Sequence, residues 1–219
     1  MRSCHFQKLL AILANMENIN DTAEQQNFWT NRYKENRTGW DIGYPSTPIK
    51  AYVDQLADKT LKILIPGAGN AYEAEYLHQQ GFQYVYVLDI SKMPLQRFKE
   101  RVPSFPSEHL LLGNFFEQQG QYDLIIEQTF FCSFEPTTAN RTAYAQKMAD
   151  LLVVGGQLVG LWFDIPLVLG SSKRPFGGTK AGYLEYLAPL FKVRTFEACY
   201  NSIPPRAGNE LFGIFEKEG

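Results

Sequence analysis

Cysteine and histidine are scarce in this chain, and each shortage excludes a class of protein. The three cysteines, Cys4, Cys132 and Cys199, are odd in number, far apart and without a Cys-x-x-Cys pair. That argues against a disulfide framework or a zinc site and fits a reducing, cytoplasmic setting. His5, His78 and His109 share no ligand spacing, so no metal is implied. Lys and Arg number 21 against 23 Asp and Glu, for a net charge of -2, and no basic run stands out. The electrostatic footprint of a nucleic-acid binder is missing, which leaves a small molecule as the expected partner. No apolar run is long enough to cross a membrane. Leu9 to Ala14, behind Arg2 and Lys8, faintly imitates a signal peptide but is short and meets Asn15. A cytoplasmic monomer is the expectation.

The 219 residues suit one domain with its own core. That domain is expected over 21–219, with 1–20 as a disordered extension and Met16 as an alternative start.

What is present is a strand running into a glycine turn. Leu61 to Ile65 is apolar, Pro66-Gly67-Ala68-Gly69-Asn70 follows, and a second apolar run, Tyr84 to Leu88, ends on Asp89. Glycines at 67 and 69 allow positive φ and, lacking Cβ, let a ligand approach the backbone. Neighbouring strands of a parallel α/β sheet end together, so Asp89 falls within reach of a ribose bound over the turn. The dinucleotide fingerprint wants a third glycine where Tyr72 stands, and a bulky residue there disfavours a diphosphate. S-adenosylmethionine, which carries adenine and ribose without phosphate, fits better than a nicotinamide cofactor. The competing explanation is an ordinary βα turn with an Asp capping the next helix.

The remainder alternates between strand and helix. Asp21-Thr22-Ala23-Glu24 is a capping box opening a helix to about Lys34, with Trp29 and Tyr33 on one face. Ala71, Ala74 and Leu77 repeat at helical spacing before Gly81, and Ser91 caps a helix that Pro103 and Pro106 close. His109 to Leu112 and Tyr122 to Glu127 are strands buried on both faces, and Gly155-Gly156 turns into a strand over Gln157 to Trp162. A Gly/Pro/Ser-rich loop spans Asp164 to Gly178, a helix follows over Tyr183 to Leu190, and strands at Lys192 to Cys199 and Glu210 to Phe215 close the chain as an antiparallel pair.

Ligands of such sheets bind at the carboxyl ends of the strands. After strand three comes Gly113-Asn114-Phe115-Phe116, suited to an adenine amino group and its ring; a turn with core aromatics explains it equally. After strand four comes Glu127-Gln128-Thr129-Phe130-Phe131-Cys132, suited to the methionine end and the transfer point.

Phe28-Trp29, Gly39-Trp40-Asp41-Ile42-Gly43, Ile65 to Gly69, Leu88-Asp89-Ile90-Ser91, Gly113 to Phe116 and Thr129 to Cys132 together resemble the thiopurine methyltransferase superfamily. Pro175-Phe176 and Ser202 to Arg206 bring the chain closest to the halide/thiol methyltransferase branch. The resemblance implies an α/β, Rossmann-like, S-adenosylmethionine-dependent fold with a mostly parallel seven-stranded sheet and an antiparallel last strand. It implies that Trp29 and Trp40 cover the cofactor, that Gly67 and Gly69 form its turn and that Asp89 holds the ribose; Ile90, Asn114, Phe115 and Glu127 are further candidate cofactor-binding residues. Phe131, Phe176 and Arg206 are the candidate catalytic residues at the acceptor end. Asn114 stands where many relatives carry Asp, and Phe176 where the halide-using plant enzymes carry Tyr.

The expected activity is transfer of a methyl group to a small soft nucleophile, a thiol, sulfide or halide, by in-line displacement. Such an anion needs no strong base, in keeping with the lack of an evident base and orienter, although Glu127 and Tyr44 could handle a proton. An NAD(P)-dependent oxidoreductase, a non-catalytic binder of the same cofactor, and a methyltransferase for a larger acceptor are the alternatives.

Overall fold

Apolar side chains of the first strand, β1 (Lys62–Pro66), point alternately to two cores. Ile63 and Ile65 join one cluster with Val85, Val87, Leu124 and Ile126, while Leu64 joins another with Leu88 and Ile125. That period of two, with apolar residues on both sides, marks a sheet covered on both faces. The computed structural model describes residues 22–168, 170 and 173–219; the expectations for 1–20, the capping Asp21, Met16 and Cys4 lie outside them.

The strands are β1, β2 (Tyr84–Asp89), β3 (Leu110–Leu112), β4 (Tyr122–Gln128), β5 (Leu152–Phe163), β6 (Phe191–Ala198) and β7 (Glu210–Lys217). They lie in the order β3-β2-β1-β4-β5-β7-β6. β1 to β5 are parallel, and β7 runs antiparallel to both β5 and β6. The expected seven-stranded sheet with a reversed last strand is the one observed. Chain order reverses between β1 and β4, and that switch point is where a ligand crevice opens.

Among the described residues, six α-helices accompany the sheet: α1 (Thr22–Lys34), α2 (Thr47–Val53), α3 (Tyr72–Gln79), α4 (Lys92–Arg101), α5 (Thr138–Leu151) and α6 (Lys180–Leu187). Ser91 caps α4, its hydroxyl accepting from the Met93 amide at 3.4 Å. Gly81, at φ +84°, follows the end of α3. α1 sits over the carboxyl end of β2, tied there by Gln26 Nε2 donating to the Ile90 carbonyl at 3.1 Å and by the Thr30 and Ser91 hydroxyls at 3.0 Å.

Two sequence expectations are corrected, and one element is added to them. Gly155-Gly156 does not precede β5 but lies inside it: Tyr122 pairs with Leu152 and Leu124 with Gln157, so 153–156 bulge out of register. Gly155 takes φ +79° there, and a Cβ on Gly156 would stand 2.9 Å from the Val153 carbonyl. β3 is not buried on both faces, because it is a sheet edge; Leu112 is exposed and His109 belongs to the 3-10 turn before it. α2 is an element that apolar periodicity alone does not disclose. It has only seven residues, and its signals are Ser46 at the cap and Pro48 in the first turn.

Candidate active site

The turn after β1 takes two left-handed steps, Gly67 at φ +58° and Gly69 at φ +56°. A Cβ on Gly67 would fall 2.0 Å from the Phe130 ring, and one on Gly69 would approach the Tyr33 hydroxyl at 3.3 Å and Trp40 Nε1 at 3.6 Å. Both positions therefore favour glycine for backbone conformation, and Gly67 requires it a second time for the Phe130 ring packed on it.

Asp89, at the end of β2, is buried and faces the turn. Its Oδ2 accepts from the Gly69 amide at 3.0 Å and its Oδ1 from the Ser91 amide at 2.8 Å. Each oxygen thus keeps a further acceptor position for a ligand hydroxyl. Burial pushes the carboxyl up to about 6, opposed by the amides of Ser91, Gly69 and Ile90.

Aromatic rings roof this end of the cleft. Trp29 and Trp40 meet edge to face with centroids 5.4 Å apart, and Tyr33 meets Trp40 at 5.6 Å. Tyr33 shares a helix face with Trp29 and is buried; that burial, with the Asp89 charge beside it, pushes its phenol well above the ordinary value. Tyr72, at the third fingerprint position, starts α3 and carries the Arg101 guanidinium 4.4 Å above its ring. It does not line the cleft.

Asn114 caps the short turn Phe115–Glu117, Oδ1 accepting from the Phe116 amide at 3.0 Å while Nδ2 donates to the Thr22 hydroxyl at 3.1 Å. Phe115 packs edge-on to Phe130 at 5.3 Å. On the far side Gln128, Thr129, Phe130, Cys132 and Phe134 continue the wall, and Arg174 and Pro175 of the late loop close it. The cleft measures about 670 Å³, within the range of roughly 300–1,000 Å³ usual for small-molecule sites.

Trp29, Trp40, Gly67, Asp89, Ile90, Asn114, Phe115 and Arg206 converge on this cleft, and Gly69 stands immediately behind it through Asp89. Three other candidate residues lie elsewhere. Phe131 turns into the core against Tyr144 and Tyr183, at 4.6 and 5.2 Å, and the neighbouring Phe130 faces the cleft in its place. Phe176 is buried behind the wall, its amide donating to the Cys132 carbonyl at 2.9 Å. Glu127 is fully buried beneath the turn after β4; Oε1 accepts from the amides of Phe130 and Phe131, and Oε2 has no hydrogen-bond partner among the described residues. It braces Thr129, a β-branched residue held at φ +54°. Burial pushes its carboxyl up to about 8, opposed by the Phe131 and Phe130 amides and helped by the Glu210 charge.

Arg206 reaches the cleft yet is tied down: Nη1 meets Glu210 Oε1 at 3.3 Å and Nη2 donates to the Trp40 carbonyl at 3.0 Å. The sequence reasoning missed Phe130, which only the reversal at Thr129 distinguishes from Phe131, and Arg32 and Arg174, which carry no local signal beyond their charge. Tyr44, the other suggested proton handler, is exposed and does not line the cleft.

The residues present fit an adenosyl ligand: a turn stripped of Cβ atoms, a carboxylate with open acceptor positions beside it, and flat apolar rings above. This sheet order with an acid at the tip of β2 gripping the turn after β1 defines an S-adenosylmethionine-dependent methyltransferase. The chain belongs to the thiopurine S-methyltransferase family, whose profile matches residues 24–218. It is 31% identical over 195 residues to a probable thiol methyltransferase 2 of Arabidopsis thaliana, covering 86% of this chain and 84% of that protein. It is 28% identical over 197 residues to thiocyanate methyltransferase 1 of the same plant, with the same coverage. Among solved structures, the 1,6-didemethyltoxoflavin-N1-methyltransferase of Burkholderia thailandensis, with bound substrate and S-adenosylhomocysteine, shares the fold at a TM-score of 0.69 and 16% identity, covering 90% of this chain and 88% of that one.

Proposed function

We propose that this methyltransferase acts on a small soft nucleophile, a thiol before a halide, and that the cleft of Asp89 and Phe130 is its active site. The observation that carries the reading is that no histidine lines the cleft among the described residues, and that the two titratable groups at the turn after β4 are not available as bases. Glu127 is sealed beneath the turn and held largely protonated at neutral pH by burial, and burial likewise pushes the Cys132 thiol well up. An acceptor that ionises in water on its own needs neither. The names of the two plant relatives point the same way.

S-adenosylmethionine, when bound, supplies a methyl group on a sulfonium. Asp89 would hold the ribose hydroxyls, Trp29 and Trp40 would cover the nucleoside, and Asn114 and Phe115 would flank the adenine. Phe130 and Phe134, with the α1 roof, would keep water from the transfer path, so that the rate comes from alignment and from a partly desolvated nucleophile. Trp29, Trp40 and Phe130 are aromatic faces for the cation, worth roughly 0.5–2 kcal/mol each in binding. Arg206 would set the shape of the acceptor end through the Trp40 carbonyl. A single chain in the cytoplasm suffices for such a reaction.

The test is incubation of the purified protein with methyl-labelled S-adenosylmethionine and a panel of small thiols, bisulfide, thiocyanate and iodide. Label on at least one thiol is the expected result. Label on none, with S-adenosylhomocysteine still binding, would mark a cofactor-binding module instead.

A further inference from the structure

Four arginines line the cleft: Arg32, Arg37, Arg174 and Arg206. Two are neutralised by protein carboxylates, Arg37 by Glu35 and Arg206 by Glu210. The other two, Arg32 and Arg174, have no ion-pair partner among the described residues.

Arg174 is fixed in place on three sides. Its Nε donates to the Ser133 carbonyl at 2.7 Å, and its guanidinium lies 4.6 Å from the Phe28 ring, 5.7 Å from Trp29 and 5.1 Å from Phe176. That arrangement spans the cleft from the turn after β4 to the roof helix α1. It leaves both terminal nitrogens of the fork without a hydrogen-bond partner among the described residues. Arg32, one turn along α1 from Phe28, lies 5.3 Å from the same ring. Two like charges gathered around one aromatic ring repel each other; burial weakens the hold of Arg174 on its proton, the Glu135 charge strengthens it, and Arg32 weakens it again. An anion between them would relieve the repulsion, and a rigid planar fork matches a carboxylate bidentately.

We propose that Arg174, assisted by Arg32, is an anchoring site for a carboxylate on the methyl acceptor, which makes the preferred substrate a short thiol acid rather than a neutral thiol or a bare halide. This rests on the reading of the cleft as a thiol methyltransferase site. In the reaction the thiol first loses its proton to water. The thiolate sulfur then forms the bond to the methyl carbon as the methyl–sulfonium bond breaks, and that electron pair stays on the departing sulfur. Arg174 takes no part in bond making; it fixes the far end of the acceptor so that the sulfur points along the cleft. A competing source of the same chemistry is the carboxylate of the cofactor's own amino-acid end.

The experiment compares 3-mercaptopropionate with 3-mercaptopropionamide at matched thiolate concentration in wild type, Arg174→Gln and Arg32→Gln. Wild type should favour the acid in kcat/KM by about 10- to 100-fold, the effect of one charge-assisted pair. The ratio should fall below about 3-fold in Arg174→Gln through KM, and partway in Arg32→Gln. A second arm needs no turnover: binding of 3-(methylthio)propionate and its amide to the protein saturated with S-adenosylhomocysteine, measured by calorimetry. The acid should bind more tightly, and Arg174→Gln should erase the difference. No preference for the acid in this arm overturns the inference. So does an equal loss of S-adenosylhomocysteine affinity in Arg174→Gln, which would assign the arginine to the cofactor. If neither thiol is methylated but the Arg174-dependent preference persists in binding, the anion site stands and the assigned reaction falls.

Discussion

Gly69 donates its amide to Asp89 Oδ2 at 3.0 Å, so the turn after β1 and the acid at the tip of β2 hold each other. Parallel register brings the two together, with Pro66 paired to Leu88 one residue before the acid. The bond fixes the carboxylate before any ligand arrives. Because each oxygen spends only one acceptor position on the backbone, orientation is achieved without consuming the capacity that a ribose needs.

Gly67→Ala should destabilise the protein by on the order of 2–4 kcal/mol. About 1–2 kcal/mol comes from a left-handed alanine, and the rest from the collision of its Cβ with the Phe130 ring, an overpacking of the usual size. In a Phe130→Ala background the collision is gone, so adding Gly67→Ala there should cost only the backbone share, measured against Phe130→Ala alone. Urea unfolding with unchanged m values reads both.

The tie between Arg206 and Glu210 is buried, and breaking it from one side strands a charge. Arg206→Met should cost about 3–5 kcal/mol, whereas Arg206→Met with Glu210→Gln should recover most of that loss. A thermal melt of the single and double variants distinguishes them. If the single variant melts with wild type, the pair carries no structural weight.

Much of the sheet was legible because buried parallel strands are short, uniformly apolar runs: β1, β2 and β4 stand out between Gly, Pro and Asp punctuation. The cofactor end was legible for a related reason, since glycine, acid and strand end are linked by chain geometry. What failed depended on rotation about single residues or on distant packing. Thr129 at φ +54° reverses which phenylalanine faces the cleft, and nothing in Thr-Phe-Phe-Cys announces that. Arg174 acquires its setting from Phe28, 146 positions earlier, and Ser133. The placement of Gly155 inside β5 follows from the pairing with β4, which no local pattern contains.

Glu127 gives the protein a pH signature. Its folded value of about 8 exceeds the ordinary 4.5, so the native state binds a proton that the unfolded state has released. Stability from this group is therefore full below pH 4.5 and declines as pH rises to about 8, with a ceiling of roughly 5 kcal/mol. Glu127→Gln keeps an acceptor for the Phe130 and Phe131 amides and should flatten the profile. Chemical denaturation at pH 5, 7 and 9 should show the wild-type slope and its loss in the variant.

Titration calorimetry of S-adenosylhomocysteine against wild type and Asp89→Ala bears most directly on the site. Saturable binding is expected in wild type, weakened about 10- to 100-fold in the variant through loss of charge-assisted hydrogen bonds. Wild-type affinity should also fall as pH drops below about 6, where the carboxyl takes up its proton. No binding to the wild type, or affinity untouched by Asp89→Ala, would contradict the account.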